Sequence, residues 1–134
     1  MPMMYGEPLK IDYPIIIAVD LSDPECVVEI NDMMAELLLI IREKAKEEAD
    51  VIFKIAIVML SKSPRLWTDQ YIKAEQISWD SCDAEYGEID WKKVSQLFDH
   101  LCDRSIVYSQ TRRKFTPSVF FVLGTRLIQG RDLT

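Results

Sequence analysis

Histidine is nearly absent from this chain of 134 residues, His100 being the only one, and the three cysteines, Cys26, Cys82 and Cys102, form no C-x-x-C pair. An odd number of unclustered cysteines indicates neither a disulfide framework nor a zinc knuckle and predicts a reducing compartment. The sequence has no glycine-rich phosphate loop, no nucleophile elbow and no acid/base pair of carboxylates, which removes the usual signatures of nucleotide-binding and hydrolytic folds. Basic residues are in the minority, with 16 Lys and Arg against 22 Asp and Glu, a net charge of -6 and a pI near 4.8. Nucleic-acid binding needs a concentrated basic surface. The basic cluster Arg112-Arg113-Lys114 reads as a solvated loop before a strand. No long apolar run is present either: Met33 to Ile41 is interrupted by Glu36 and is far shorter than the roughly 20 residues that span a bilayer. The opening Met1-Pro2-Met3-Met4-Tyr5-Gly6-Glu7-Pro8 lacks a basic segment leading into an apolar one, so it is not a secretory signal. The expectation is a cytoplasmic protein with neither nucleic acid nor membrane as partner.

What is present is a composition 49% hydrophobic and 28% charged, suited to one globular domain. Residues 1–12, with two prolines and a glycine, read as an N-terminal tail, and residues 13–134 as a single α/β domain. Ile15 to Val19 is a β-branched run of the kind found in strands covered on both faces. A helix is predicted from about Asp23 to Ala49, with Cys26, Ile30, Met33, Leu37, Ile40 and Ile41 as its apolar stripe and Leu38 and Leu39 widening it. Val51 to Leu60 predicts a second strand. After the turn Ser61-Lys62-Ser63-Pro64, extended pieces over Arg65 to Ile77 should run antiparallel to it, because the connection is short. An acidic loop, Asp80 to Asp90, precedes a second helix from Trp91 to about Ser105, and Pro117 to Gly124 predicts a last buried-type strand.

Asp20 ends the first strand where a helix is about to begin. Ligands of open α/β sheets bind beyond the carboxyl ends of the strands, where helix N-termini converge. Asp20 is therefore the leading candidate for function. Ser22-Asp23-Pro24-Glu25 also reads as a capping box, in which the Ser22 hydroxyl accepts from the Glu25 N–H and the Glu25 carboxylate returns to the Ser22 N–H.

The order of strand with terminal Asp, long helix, two strands, helix and strand resembles the von Willebrand factor type A domain, in the compact bacterial form found among tellurite-resistance proteins. The resemblance rests on Ile15-Ile16-Ile17-Ala18-Val19-Asp20-Leu21-Ser22, on Ile30-Asn31-Asp32-Met33-Met34, on Phe53-Lys54-Ile55-Ala56-Ile57-Val58 and on Val119-Phe120-Phe121-Val122-Leu123. It implies a three-layer Rossmann-like open sheet, mostly parallel with one antiparallel edge strand, truncated after the last strand. It also implies a metal-ion-dependent adhesion site for magnesium, with Asp20 and Ser22 in the first two places of the Asp-x-Ser-x-Ser motif. Pro24 stands where the second serine belongs, no threonine counterpart is found in Asp80 to Asp90, and Gly124-Thr125-Arg126 replaces the expected Thr-Asp-Gly. The site is thus degenerate, and no cofactor is expected.

The reading that follows is a non-catalytic protein-interaction module with a binding rim of Asp20, Ser22, Asp23, Glu25, Asp83, Thr125 and Arg126. One alternative keeps a divalent cation on Asp20 and Ser22 and binds an acidic protein ligand through it. Another is a haloacid-dehalogenase-like phosphohydrolase using Asp20, which would want a second carboxylate where Ser22 stands. The carboxylates Asp80, Asp83, Glu85, Glu88 and Asp90 lack the EF-hand spacing and read as a solvated loop. His100 and Cys102, two apart on a helix, point to different faces. In the order implied by the resemblance, Ser118 to Leu123 falls at a sheet edge despite its interior composition, so a homodimer through this strand is expected.

Overall fold

The computed structural model describes residues 11–68, 70–104 and 117–123. Arg112-Arg113-Lys114, Gly124, Thr125 and Arg126, together with residues 1–10 of the expected tail, lie outside the described residues.

The architecture is α/β: a mostly parallel, mixed open sheet of five strands with two helices among the described residues. β1 (Ile11–Asp20) pairs parallel with β2 (Val51–Leu60) from Ile11 opposite Val51 to Asp20 opposite Leu60. β1 also pairs parallel with β5 (Ser118–Val122), while β3 (Arg65–Leu66) and β4 (Ile72–Lys73) run antiparallel to β2. The strand order is β3-β2-β1-β5, with β4 also on β2. Ile11 and Asp12, assigned to the tail by composition, belong to the sheet. Asp12 is buried there and its carboxylate is 3.0 Å from Lys54 Nζ, so a paired charge sits where the sequence reads as polar tail.

Strand residues alternate between faces, and two apolar clusters follow from that alternation. Ile15, Ile17 and Val19 with Ile55, Ile57 and Met59 meet α1 (Val27–Glu47) through Ile30, Met34, Leu38 and Ile41. Ile16 and Ala18 with Ala56, Val58 and Leu60 meet α2 (Trp91–Arg104) through Val94 and Leu101. Each fully buried aliphatic side chain stabilises by about 1.5–3 kcal/mol, which explains the unbroken apolar runs in β1 and β2.

The buried stripe of α1 departs from the expected one. Met34 and Leu38 face the sheet, while Met33 is 37% and Ile40 56% exposed. The run Met33 to Ile41 is apolar on most sides, so the 3.6-residue period admits two stripes one residue apart, and only the sheet chooses between them. The helix also starts later than Asp23, because residues 23–26 form a turn in which Cys26 N–H donates to Asp23 O at 3.1 Å.

Beyond β4 and a 3-10 turn at Ala74–Gln76, the chain is tied to α1 by Arg42, whose Nε donates to Ala74 O at 3.2 Å and whose Nη2 donates to Ile77 O. The loop that follows reaches the carboxyl ends of the strands. There it forms the second wall of the site.

Candidate functional site

β1 delivers Asp20 to the sheet's upper edge, and Leu21 N–H continues the ladder by donating to Leu60 O at 3.0 Å. Asp20 is 4% exposed. Its Oδ1 accepts from the Ser22 N–H at 2.9 Å and from the Ser22 hydroxyl at 2.6 Å. Ser22 therefore serves Asp20, not Glu25. The expected capping box does not form: α1 is entered through Cys26 with no side-chain cap hydrogen bond, and in the turn before it the Glu25 N–H donates to Asp23 Oδ1 at 2.9 Å. The physical reason is proximity: Asp20, two residues away, is a charged acceptor for the Ser22 hydroxyl proton, while the Glu25 N–H that the hydroxyl would have received is taken by Asp23.

Asp20, Ser22, Asp23, Pro24 and Glu25 form one wall of a cleft of about 570 Å³, and Tyr86, Gly87 and Glu88 form the other. Three contacts hold the second wall in place. Glu85 N–H donates to Leu21 O at 2.6 Å, Asp90 N–H donates to Ser61 O at 3.1 Å, and the Arg65 guanidinium grips the Glu85 carboxylate with both terminal nitrogens. Gly87 has φ of 138°, and a Cβ there would lie 3.2 Å from Lys62 Cδ. That backbone conformation is open to glycine at little cost, so Gly87 permits the sharp return of the loop past the cleft.

The Arg65 guanidinium holds the Glu85 carboxyl below the usual range, chiefly through the side-chain hydrogen bond. Burial pushes the Cys82 thiol up, away from the thiolate form that reacts.

Of the expected rim, the structure brings together Asp20, Ser22, Asp23 and Glu25. Asp83 lines a neighbouring cavity of about 370 Å³ with Arg65, Trp67 and Cys82 instead, and Glu88 takes the place it was expected to fill. Thr125 and Arg126 fall outside the described residues. His100 is exposed on α2 and Cys102 is half-buried. Asn31 was missed by sequence reasoning: from α1 it binds both Trp79 and the backbone of Cys82. Its partners lie about fifty residues away in the chain, so no local pattern marks it.

Among the described residues no three or more His, Cys, Asp or Glu side chains gather in a group that could hold a metal ion. Nor is any described helix long and apolar enough to cross a membrane.

No family model, curated protein or solved structure matches this chain.

Proposed function

We propose that this chain is a non-catalytic protein-interaction module of the cytoplasm, a three-layer Rossmann-like domain resembling the von Willebrand factor type A fold, whose cleft receives a basic segment of a protein partner. The supporting observation is the charge of the cleft. Asp20, Asp23, Glu25 and Glu88 line it, and among the described residues that line it there is no Lys or Arg. A lysine or arginine side chain entering between the two walls would meet carboxylates on both sides, with a low-dielectric floor below Asp20 that strengthens the attraction. The same arrangement disfavours catalysis by Asp20, because Oδ1 is already engaged by two donors from Ser22 and no second carboxylate stands two residues on.

The test is binding of a fluorescent hexalysine peptide, with hexaglutamate as control. Asp23→Asn combined with Glu25→Gln should weaken hexalysine binding roughly tenfold, a loss of about 1.4 kcal/mol. Glu43→Gln combined with Glu47→Gln, the same charge change on the far part of α1, should leave it nearly unchanged. Equal weakening by both pairs would reduce the effect to net charge and overturn the reading.

A further inference from the structure

β5 stands at one end of the strand order, and among the described residues no strand pairs with its outer edge. Val119, Phe120 and Phe121 are 41%, 42% and 50% exposed, and because successive side chains alternate, apolar surface is open on both faces of the sheet. Beside this edge α1 carries Met33 and Ile40, exposed, and Leu37, partly buried against the core. Leu37, Ile40, Tyr13 and Phe120 line an apolar groove of about 300 Å³ between α1 and β5. Strand edge and helix stripe are thus one continuous surface.

We propose that a second copy of this chain covers that surface, β5 pairing antiparallel with β5 of its partner about a two-fold axis at Phe120. A bare strand edge presents a row of N–H and C=O groups that another strand satisfies, so the occupant must bring a strand. Ser118 to Leu123 contains no charged residue, and the lysine at the groove, Lys44, is 3.3 Å from Glu48 of its own helix. In a chain of net charge -6, the strand edge is where two copies meet without like-charge repulsion, with the exposed Glu36, between Met33 and Ile40, bordering the helix part of the surface.

The strand is also complementary to itself. Antiparallel pairing centred on Phe120 sets Phe120 against Phe120 and Val119 against Phe121, an aromatic/β-branched pair of the favourable kind. The same axis brings the two α1 stripes together on one side of the extended sheet, as an isologous contact requires. With roughly 150–250 Å² on each aromatic side chain, the exposed parts of Tyr13, Phe120, Phe121, Val119, Met33 and Ile40 come to about 500 Å² per copy. Paired backbone and rim then bring the total near the ~800 Å² per partner of a standard stable interface. The surface lies away from the Asp20 cleft, so the two proposals stand or fall separately.

Sedimentation equilibrium of the full chain over a micromolar concentration series decides the matter. The wild type should sediment at twice the chain mass, and Phe120→Lys should raise the dimer dissociation constant at least tenfold with an unchanged far-ultraviolet circular dichroism spectrum. Ile40→Glu, at a position more than half exposed, should do the same without threatening the fold, and it decides alone where Phe120→Lys does not fold. A wild-type monomer at tens of micromolar overturns the proposal, as does a dimer that survives Ile40→Glu.

Discussion

The side-chain amide of Asn31 pairs with the backbone of Cys82 as a strand would: Nδ2 donates to Cys82 O and Oδ1 accepts from Cys82 N–H, each at 2.9 Å. The same amide donates to Val27 O and accepts from the Trp79 indole N–H, again at 2.9 Å. Both donors and both acceptor sites of the amide are used, and a loop without regular structure is thereby fastened to α1.

Asn31→Ala should lower stability by about 2–3 kcal/mol, since it leaves half-buried backbone groups of Cys82 and the Trp79 indole without a partner. Trp79 fluorescence should shift to the red, and hydrogen exchange at the Cys82 amide should accelerate. Asn31→Asp should not rescue, because a carboxylate cannot donate to Val27 O and Cys82 O. A loss under about 0.5 kcal/mol would show that the loop is held elsewhere.

The Arg65–Glu85 pair gives a pH dependence whose sign is fixed. The Glu85 carboxyl titrates below its ordinary value of 4.5 in the folded protein, so its contribution is fully present above that value and is lost as pH falls through the folded one. The stability gap between wild type and Glu85→Gln should be constant near neutrality and close as pH falls below the ordinary value of 4.5 and on through the lowered folded one. With Arg65 47% exposed, the gap should not exceed about 1 kcal/mol and should shrink with added salt.

At the opposite end of the sheet, Lys54 and Asp12 form an ion pair with the two side chains 18% and 4% exposed, and among the described residues the buried Asp12 Oδ1 has no hydrogen-bond partner. Lys54→Met should cost about 3 kcal/mol, because it strands a buried carboxylate. Adding Asp12→Leu should recover most of that loss, a non-additivity that denaturant melts of the two single variants and the double variant will measure.

Thermal unfolding in EDTA and in millimolar magnesium should give the same midpoint for wild type, as for Asp20→Ala. An ion present at 100 times its dissociation constant would add about 2.7 kcal/mol and raise the midpoint by several degrees. Such a rise in wild type, abolished in Asp20→Ala, would make cation-dependent binding of an acidic partner the better reading.

Strands β1 and β2 were legible because a segment buried on both faces must be apolar at every position, so Ile15 to Val19 and Ile55 to Leu60 declare themselves without reference to the rest of the chain. The antiparallel direction of β3 and β4 was legible in the shortness of the turn at Ser61 to Pro64. At the candidate site, the sequence placed Asp20, Ser22, Asp23 and Glu25 near one another because they are neighbours in the chain. It misplaced Asp83 and overlooked Glu88, since a loop's path depends on bonds such as Glu85 N–H to Leu21 O, which join residues far apart in sequence.

Local pattern by itself determined which segments are strands and helices, that a carboxylate ends the first strand, and that the chain is acidic. Tertiary structure decided which side of α1 is buried, that Asn31 fastens the loop at Cys82, and which loop residues face Asp20. Periodicity and composition act over a few residues, whereas each of those choices is a competition among partners that only folding brings within bonding distance.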